Sequence, residues 1–168
     1  MISEKMTQAI NDQINAEMYS AYLYLSMSAW YSDKTLNGFA QWFRVQAQEE
    51  MEHAMKMYDY LMEQGARVKV KAIDGPPTDF ESPLAIAKEQ LKHEQKVTSL
   101  IHNLVSMARE ENDYATEIFM QWFVTEQVEE EANAQDIVDK LERVGESGHA
   151  IYLLDREMGS RQEGAGEE

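Results

Sequence analysis

Four long stretches of this chain repeat apolar side chains at helical spacing, and each breaks its apolar seam near the middle with an acid, an amide or an imidazole. The first seam reads Ile10, Ile14, Glu17, Ala21, Tyr24, Ser28, widened by Met18 and Leu25. The second reads Phe39, Phe43, Gln46, Glu50, His53, Met57, Tyr60, with Arg44, Gln48, Glu52, Lys56 and Asp59 on the opposite face. The third reads Ala87, Leu91, Glu94, Thr98, Ile101, Val105, Ala108, and the fourth Met120, Phe123, Gln127, Glu130, Ala134, Ile137, Leu141. Steps of three and four are those of bundle helices. Carboxylates are almost never buried without a compensating partner. The fold must therefore bury four such seams together and bring something to their middle that balances the acids.

The spacing predicts helices over 4–32, 36–64, 83–111 and 114–144, and a short fifth over 149–158 carrying Ile151, Leu153 and Leu154. Ser3 and Ser82 are N-cap residues by type, and Pro83 takes a first-turn position where a missing N–H costs little. Gly65 ends the second helix as a C′ residue, Asn112-Asp113 makes a tight break, and Gly145 to Gly148 ends the fourth helix. Between them, 66–81 is a long connection. Asp74-Gly75-Pro76-Pro77 excludes helix there, and Val68 and Val70 alternating with lysines suggest a short extended piece. So long a connection lets the third helix return parallel to the second, the mark of a crossover bundle. Each main helix spans roughly 45 Å. The midpoints fall near residues 18, 50, 97 and 129, so the interrupting groups share one height. The expected fold class is all-α: a four-helix bundle with one long crossover connection and a short fifth C-terminal helix. One domain is expected over 1–160, with 161–168 as a disordered acidic tail.

Composition narrows the chemistry. With 168 residues and 43% hydrophobic content, the chain is long enough for one domain with a substantial core. It has no cysteine, which removes disulfides, thiolate metal sites, iron–sulfur clusters and thiol nucleophiles together. The net charge of −16 argues against a nucleic-acid partner, which needs excess Lys and Arg. It serves solubility, or draws cations to a carboxylate-lined surface. No apolar run approaches the ~18 residues of a membrane span, and Met1-Ile2-Ser3-Glu4-Lys5 has no apolar signal core, so a cytoplasmic location is expected.

Glu50 and His53 are three apart and share a helix face; Glu17, Glu94 and Glu130 come to the same height from the other three helices. A lone Glu-x-x-His is unspecific, and His53 alone could be a satisfied core histidine. Four polar interruptions at one height are not explained that way. Hard oxygen ligands with one imidazole suit Fe(II), Fe(III) or Mn(II), with zinc as a surrogate. Carboxylate-rich bundles with Glu-x-x-His on facing helices are the known di-iron pattern. Without metal, burial would raise the carboxyl pKa values and leave shared protons. The run Glu126, Gln127, Glu129, Glu130, Glu131 is either a solvated helix face or, with Glu49, an additional metal site. His93, His102 and His149 read as surface or interface residues. Tyr24 is either a packing tyrosine or a hydrogen-bond or electron donor to the centre.

At these residues the chain resembles a bacterial non-haem ferritin, from Asn11 to about Gly159. The stretches that carry the resemblance are Asn15-Ala16-Glu17-Met18-Tyr19, Ala47-Gln48-Glu49-Glu50-Met51-Glu52-His53-Ala54, Lys92-His93-Glu94 and Trp122-Phe123-Val124-Thr125-Glu126-Gln127-Val128-Glu129-Glu130-Glu131. The resemblance implies a ferritin-like fold assembled into a hollow homo-oligomeric cage of twenty-four subunits. It implies oxidation of Fe(II) by dioxygen or hydrogen peroxide at a di-iron centre, and storage of the product as hydrated ferric oxide. By position, Glu17, Glu50 and His53 hold the first iron, Glu50 bridges, and Glu94 with Glu130 holds the second. Gln127 orients beside that ion, and Tyr24 matches the tyrosine near the pair. Glu49, Glu126 and Glu129, sharing Glu130, resemble a third iron site. Glu117 is the candidate for the three-fold iron channel, and Met120 stands where some relatives have a second acid. The binding-class alternative is a metal-sequestering cage with little oxidase turnover. Bacterioferritins carry a second Glu-x-x-His where this chain has Gln127-x-x-Glu130, and although Met51 occupies their haem-binding position, no haem is predicted. A di-iron oxygenase acting on organic substrates would want two Glu-x-x-His pairs, and only one is present.

Overall fold

The structure, a computed structural model, describes residues 2–145 and 147–160. It contains α1 (Glu4–Asp33), α2 (Asn37–Glu63), α3 (Pro83–Glu110), α4 (Tyr114–Val144) and α5 (Gly148–Met158), and no strand among the described residues. The expected acidic tail, 161–168, lies outside the described residues.

Side chains set most of the helix starts. Ser3 accepts from the Met6 amide, Ser82 from that of Ala85 with Pro83 just inside, Asp113 from that of Thr116, and Ser147 from that of Ala150. Each satisfies one of the orphan N–H groups of a first turn. α2 has no such cap of its own. Its Phe39 amide instead donates to Asp155 Oδ1 of α5, at 2.9 Å. The helices reverse through Thr35 and Asn112, both with positive φ, and end at Gly65 and Gly145, whose φ of 69° and 56° suit glycine.

Two apolar clusters reveal the helix directions. One joins the C-terminal halves of α1 (Leu23 to Tyr31) and α4 (Ile137 to Leu141) with the N-terminal halves of α2 (Phe39 to Ala47) and α3 (Ile86, Ala87). The other joins the opposite halves, Met6 to Ile14, Met120 and Phe123, Ala54 to Leu61, and Val97 to Ala108. α1 therefore runs parallel to α4, α2 runs parallel to α3, and the two directions oppose, as a crossover bundle requires. The crossover itself lies along α1. Asn11 donates to the Arg67 carbonyl (3.2 Å) and accepts from the Lys69 amide (2.6 Å), Lys71 pairs with Asp12, and Ser26 donates to the Pro77 carbonyl (2.6 Å). The segment 66–80 forms no ladder, so the extended piece expected at Val68 and Val70 is held by this asparagine rather than by a sheet.

The seams are buried as the spacing predicts in α2 and α4. In α1 the residues from Ile10 to Ser28 are buried too, but Leu25 faces outward and is 49% exposed. In α3 the structure buries Gln90 and Val97, and leaves Leu91 and Thr98 only half-buried. A straight helix drifts against a seven-residue repeat, so its buried face widens to neighbours of the seam. In α5 the buried positions are Leu154 and Met158, and Leu153 is exposed. The fold is thus an all-α four-helix bundle with a short fifth helix packed on α2 and α4.

Candidate metal centre

The layer between the two apolar clusters is polar, and four helices supply it. Glu17 from α1, Glu50 and His53 from α2, Glu94 from α3 and Gln127 and Glu130 from α4 are all buried, none more than 6% exposed. One ligand atom from each of Glu17, Glu50 and His53 lies within 4.8 Å of the other two, the only group of three acid or imidazole ligands so close among the described residues. His53 Nδ1 is 3.5 Å from Glu50 Oε2.

Glu17, Glu94 and Glu130 each accept from a donor that fixes an oxygen. Glu17 Oε1 accepts from Gln13 Nε2 (2.8 Å), one helical turn earlier on α1. Its other oxygen is buried and accepts from no amide or hydroxyl, so the facing acid Glu50 completes it only by sharing a proton. Glu94 Oε1 accepts from the Tyr24 hydroxyl, and Oε2 from Gln127 Nε2 at 3.2 Å. That amide also reaches the Glu94 carbonyl and the Thr98 hydroxyl. Glu130 Oε2 accepts from Gln46 Nε2 at 2.5 Å. Tyr24 is fully buried, tilted against Phe43 and edge-on to His93, so it both packs and donates. His53 is enclosed by Trp122 and Phe123, whose ring centroids lie 5.3 and 6.1 Å away, and Lys56 covers the outer face of Trp122.

Burial governs the protonation states. It raises Glu17 above the ordinary carboxyl value, against the pull of Gln13. It raises Glu50 much further, and the charges of Glu94, Glu17 and Glu130 add to it. Glu94 rises to about 7 by burial, although Tyr24 and Gln127 stabilise its anion. His53 falls to about 4, by burial and then by Lys56, so its imidazole is neutral at pH 7 and keeps a lone pair for a metal. The Tyr24 hydroxyl is held well above its ordinary value by burial and by Glu94, which keeps it a donor. Acids raised by burial and a neutral imidazole lessen the charge that the layer must carry without a cation. A bound cation would displace the protons, since ligands must be deprotonated. The donor set, hard oxygens with one imidazole and an oxygen of Glu17 left without a donor, fits iron.

The remaining sequence candidates sit farther out. Glu49 and Glu126 are half-buried and Glu129 is exposed, and they do not join a ligand group as close as that of Glu17, Glu50 and His53. Glu131 accepts from Thr98 at 2.5 Å. Glu117 accepts from Arg109 Nε at 2.6 Å, and Met120 is wholly buried in the core. Met51 is exposed beside a groove of about 470 Å³ that it shares with Leu25 and Arg44. His102 and His149 are exposed, as expected. His93, expected at a surface or interface, is half-buried, its Nε2 is 2.7 Å from Ser20 Oγ, and its ring contacts Tyr19 and Tyr24. Sequence reasoning also missed the donor Gln13, whose signal was an amide one helical turn from an acid on the same face, at 13 and 17 in α1. It placed Gln46 on the seam but not its acid, Glu130 of α4, which no spacing within α2 indicates.

The ferritin-like domain family matches residues 7–144. Over 161 residues the chain is 48% identical to the bacterial non-heme ferritin of Bacteroides fragilis, covering 96% of this chain and 100% of that protein. It is 40% identical to the bacterial non-heme ferritin of Staphylococcus aureus, covering 96% and 97%. Among solved structures, the open pore ferritin of the hyperthermophilic archaeon Archaeoglobus fulgidus superposes with a TM-score of 0.95 at 54% identity, over 96% of this chain and 100% of that one.

Proposed function

The chain belongs to the ferritin family, and from that premise we propose that it is an iron-storage protein with ferroxidase activity, oxidising Fe(II) at a pair of sites in the polar layer. The observation that carries the reading is the buried group of Glu17, Glu50 and His53, whose ligand atoms lie within 4.8 Å of one another. In this reading those three residues hold one iron, Glu50 is shared between the two ions, and Glu94 and Glu130 hold the second. Gln127 and Gln46 keep Glu94 and Glu130 aimed, and Tyr24 holds the other oxygen of Glu94. Glu49, Glu126 and Glu129, with Glu130, form a third, outer iron site.

Two Fe(II) ions each give one electron to dioxygen, which takes up two protons and leaves as hydrogen peroxide. With peroxide as oxidant, the same two electrons and two protons yield two waters. The acids that carry protons in the metal-free layer release them when iron binds, next to where the oxidant takes protons up. Carboxylates hold Fe(III) more strongly than Fe(II), so the ligand set favours the oxidised product. Two ions with one imidazole and four carboxylates retain open positions for the oxidant.

The stored product is ferric oxide, held in a homo-oligomeric cage of twenty-four copies acting in the cytoplasm. Support for assembly comes from the outer side of α1 and α2, where Tyr22, Leu25, Met51, Met55 and Met62 are exposed and Leu25 and Met51 line one groove. The test is stopped-flow absorbance after Fe(II) is added to the aerobic, metal-free protein. A fast oxygen-dependent phase is expected. Glu50→Ala and His53→Ala each slow it at least about tenfold while the assembled particle persists. Fast oxidation surviving both changes would place the chemistry elsewhere. Iron uptake with no fast phase in the unaltered protein would leave only a sequestering cage.

A further inference from the structure

Gln90 is the buried polar group that the proposed centre leaves unused. It lies on α3, is 0% exposed, and neither its Nε2 nor its Oε1 has a hydrogen-bond partner. It precedes Glu94 by four residues, so it stands on the same helix face, one turn toward the cluster that contains Ala87. By the helix directions, Tyr24 on α1, Gln46 on α2 and Ala134 on α4 stand at the same side of the acids. Tyr24 and Gln46 each aim a donor at an acid, Glu94 and Glu130 respectively. Gln90 aims at none. Ala87, three residues earlier on α3, and Ala134, at this level on α4, carry small side chains and are fully buried.

A primary amide has two N–H donors and a carbonyl acceptor. Leaving all of them dry is costly, and folded proteins leave few such groups. Leucine would fill the same place without that cost. The amide is accounted for by a guest small enough to be enclosed, able to accept from Nε2 and to donate to Oε1. Water does both, and so does hydrogen peroxide. Dioxygen cannot donate, and it accepts poorly. We propose that Gln90 holds a small hydroxylic guest beside the iron-binding acids, water at rest and hydrogen peroxide during oxidation, and so biases the centre toward peroxide as oxidant. This rests on the ferroxidase reading. In the step it serves, the O–O bond of peroxide breaks, two Fe(II) ions supply one electron each, two protons are taken up from the surrounding water, and two waters leave.

Two measurements test it. A crystal structure of the metal-free assembled protein should show an ordered water within about 3 Å of both amide atoms; an amide packed dry overturns the proposal. Stopped-flow oxidation of Fe(II) is then compared with anaerobic hydrogen peroxide and with dioxygen, in the unaltered protein, Gln90→Leu and Gln90→Met, each checked for helicity and assembly. The ratio of the peroxide to the dioxygen rate constant is expected to fall about tenfold, the loss expected for about one hydrogen bond. An unchanged ratio overturns the proposal even if the water is seen. Glu50→Ala separates the two claims: if it abolishes fast oxidation while the Gln90 ratio stays fixed, only the guest site falls. If fast oxidation survives Glu50→Ala, the centre itself falls.

Discussion

Glu94 keeps its proton to about pH 7, against an ordinary value of 4.5, because it is sealed inside the bundle. Its value is raised by folding, so the stability it contributes is fully present below about pH 4.5 and is lost as pH rises through about 7. His53, lowered from 6.5 to about 4, works the other way, its contribution growing as pH rises between those values. The two offset each other in the unaltered protein, so the comparison that isolates Glu94 is with Glu94→Gln. In thermal melts of the metal-free protein, the variant should gain on the unaltered protein by on the order of 3 kcal/mol as pH climbs from 4.5 to 7. A gap that stays constant over that range would contradict the burial argument. The acids of this layer were legible in the sequence because an acid on an apolar seam is an anomaly that spacing exposes. Gln90 was not, because Leu91 beside it fits the repeat better, and only the drift of a real helix turns residue 90 inward. The contacts of His93 were not legible either: its ring lies off the seam, and what packs on it is Tyr19 and Tyr24 from another helix.

α5 and α2 complete each other at a joint that no local pattern announces. The Phe39 amide is capped by Asp155, 116 residues away. At Gly38 an added Cβ would lie 1.6 Å from the Asp155 carbonyl oxygen, a backbone atom that cannot swing aside. Gly38→Ala is therefore expected to lift α5 off the bundle, lowering stability by about 1–3 kcal/mol. Limited proteolysis should then cut near Ser147, and a protection pattern equal to that of the unaltered protein would show that the joint yields elsewhere. The four long helices were readable to within a few residues because Ser3, Ser82 and Gly65 punctuate them locally. The docking of α5 depends on contacts across the whole sequence, which periodicity does not encode: among its apolar residues Leu154 and Met158 are buried while Leu153 is exposed.

At the scale of the whole molecule, α1 and α2 carry exposed apolar side chains on their outer side, where Leu25 and Met51 share a groove. If that face joins copies into the cage, Leu25→Glu combined with Met51→Glu should leave particles near the single-chain mass of 19.4 kDa in light scattering, with iron no longer kept soluble. Large particles persisting in the double variant would move the contact to another face. Leu25 was expected to widen a buried seam, and its exposure is the feature a single helix could not reveal, since a partner's surface and a core look alike in periodicity. The division of the interior into two greasy compartments, one on each side of the acids, has a mechanical consequence. Each compartment closes on its own contacts, so the bundle is clamped at both ends. The waist can change its protonation between these fixed ends, and pH then alters stability there without altering which side chains meet at either end.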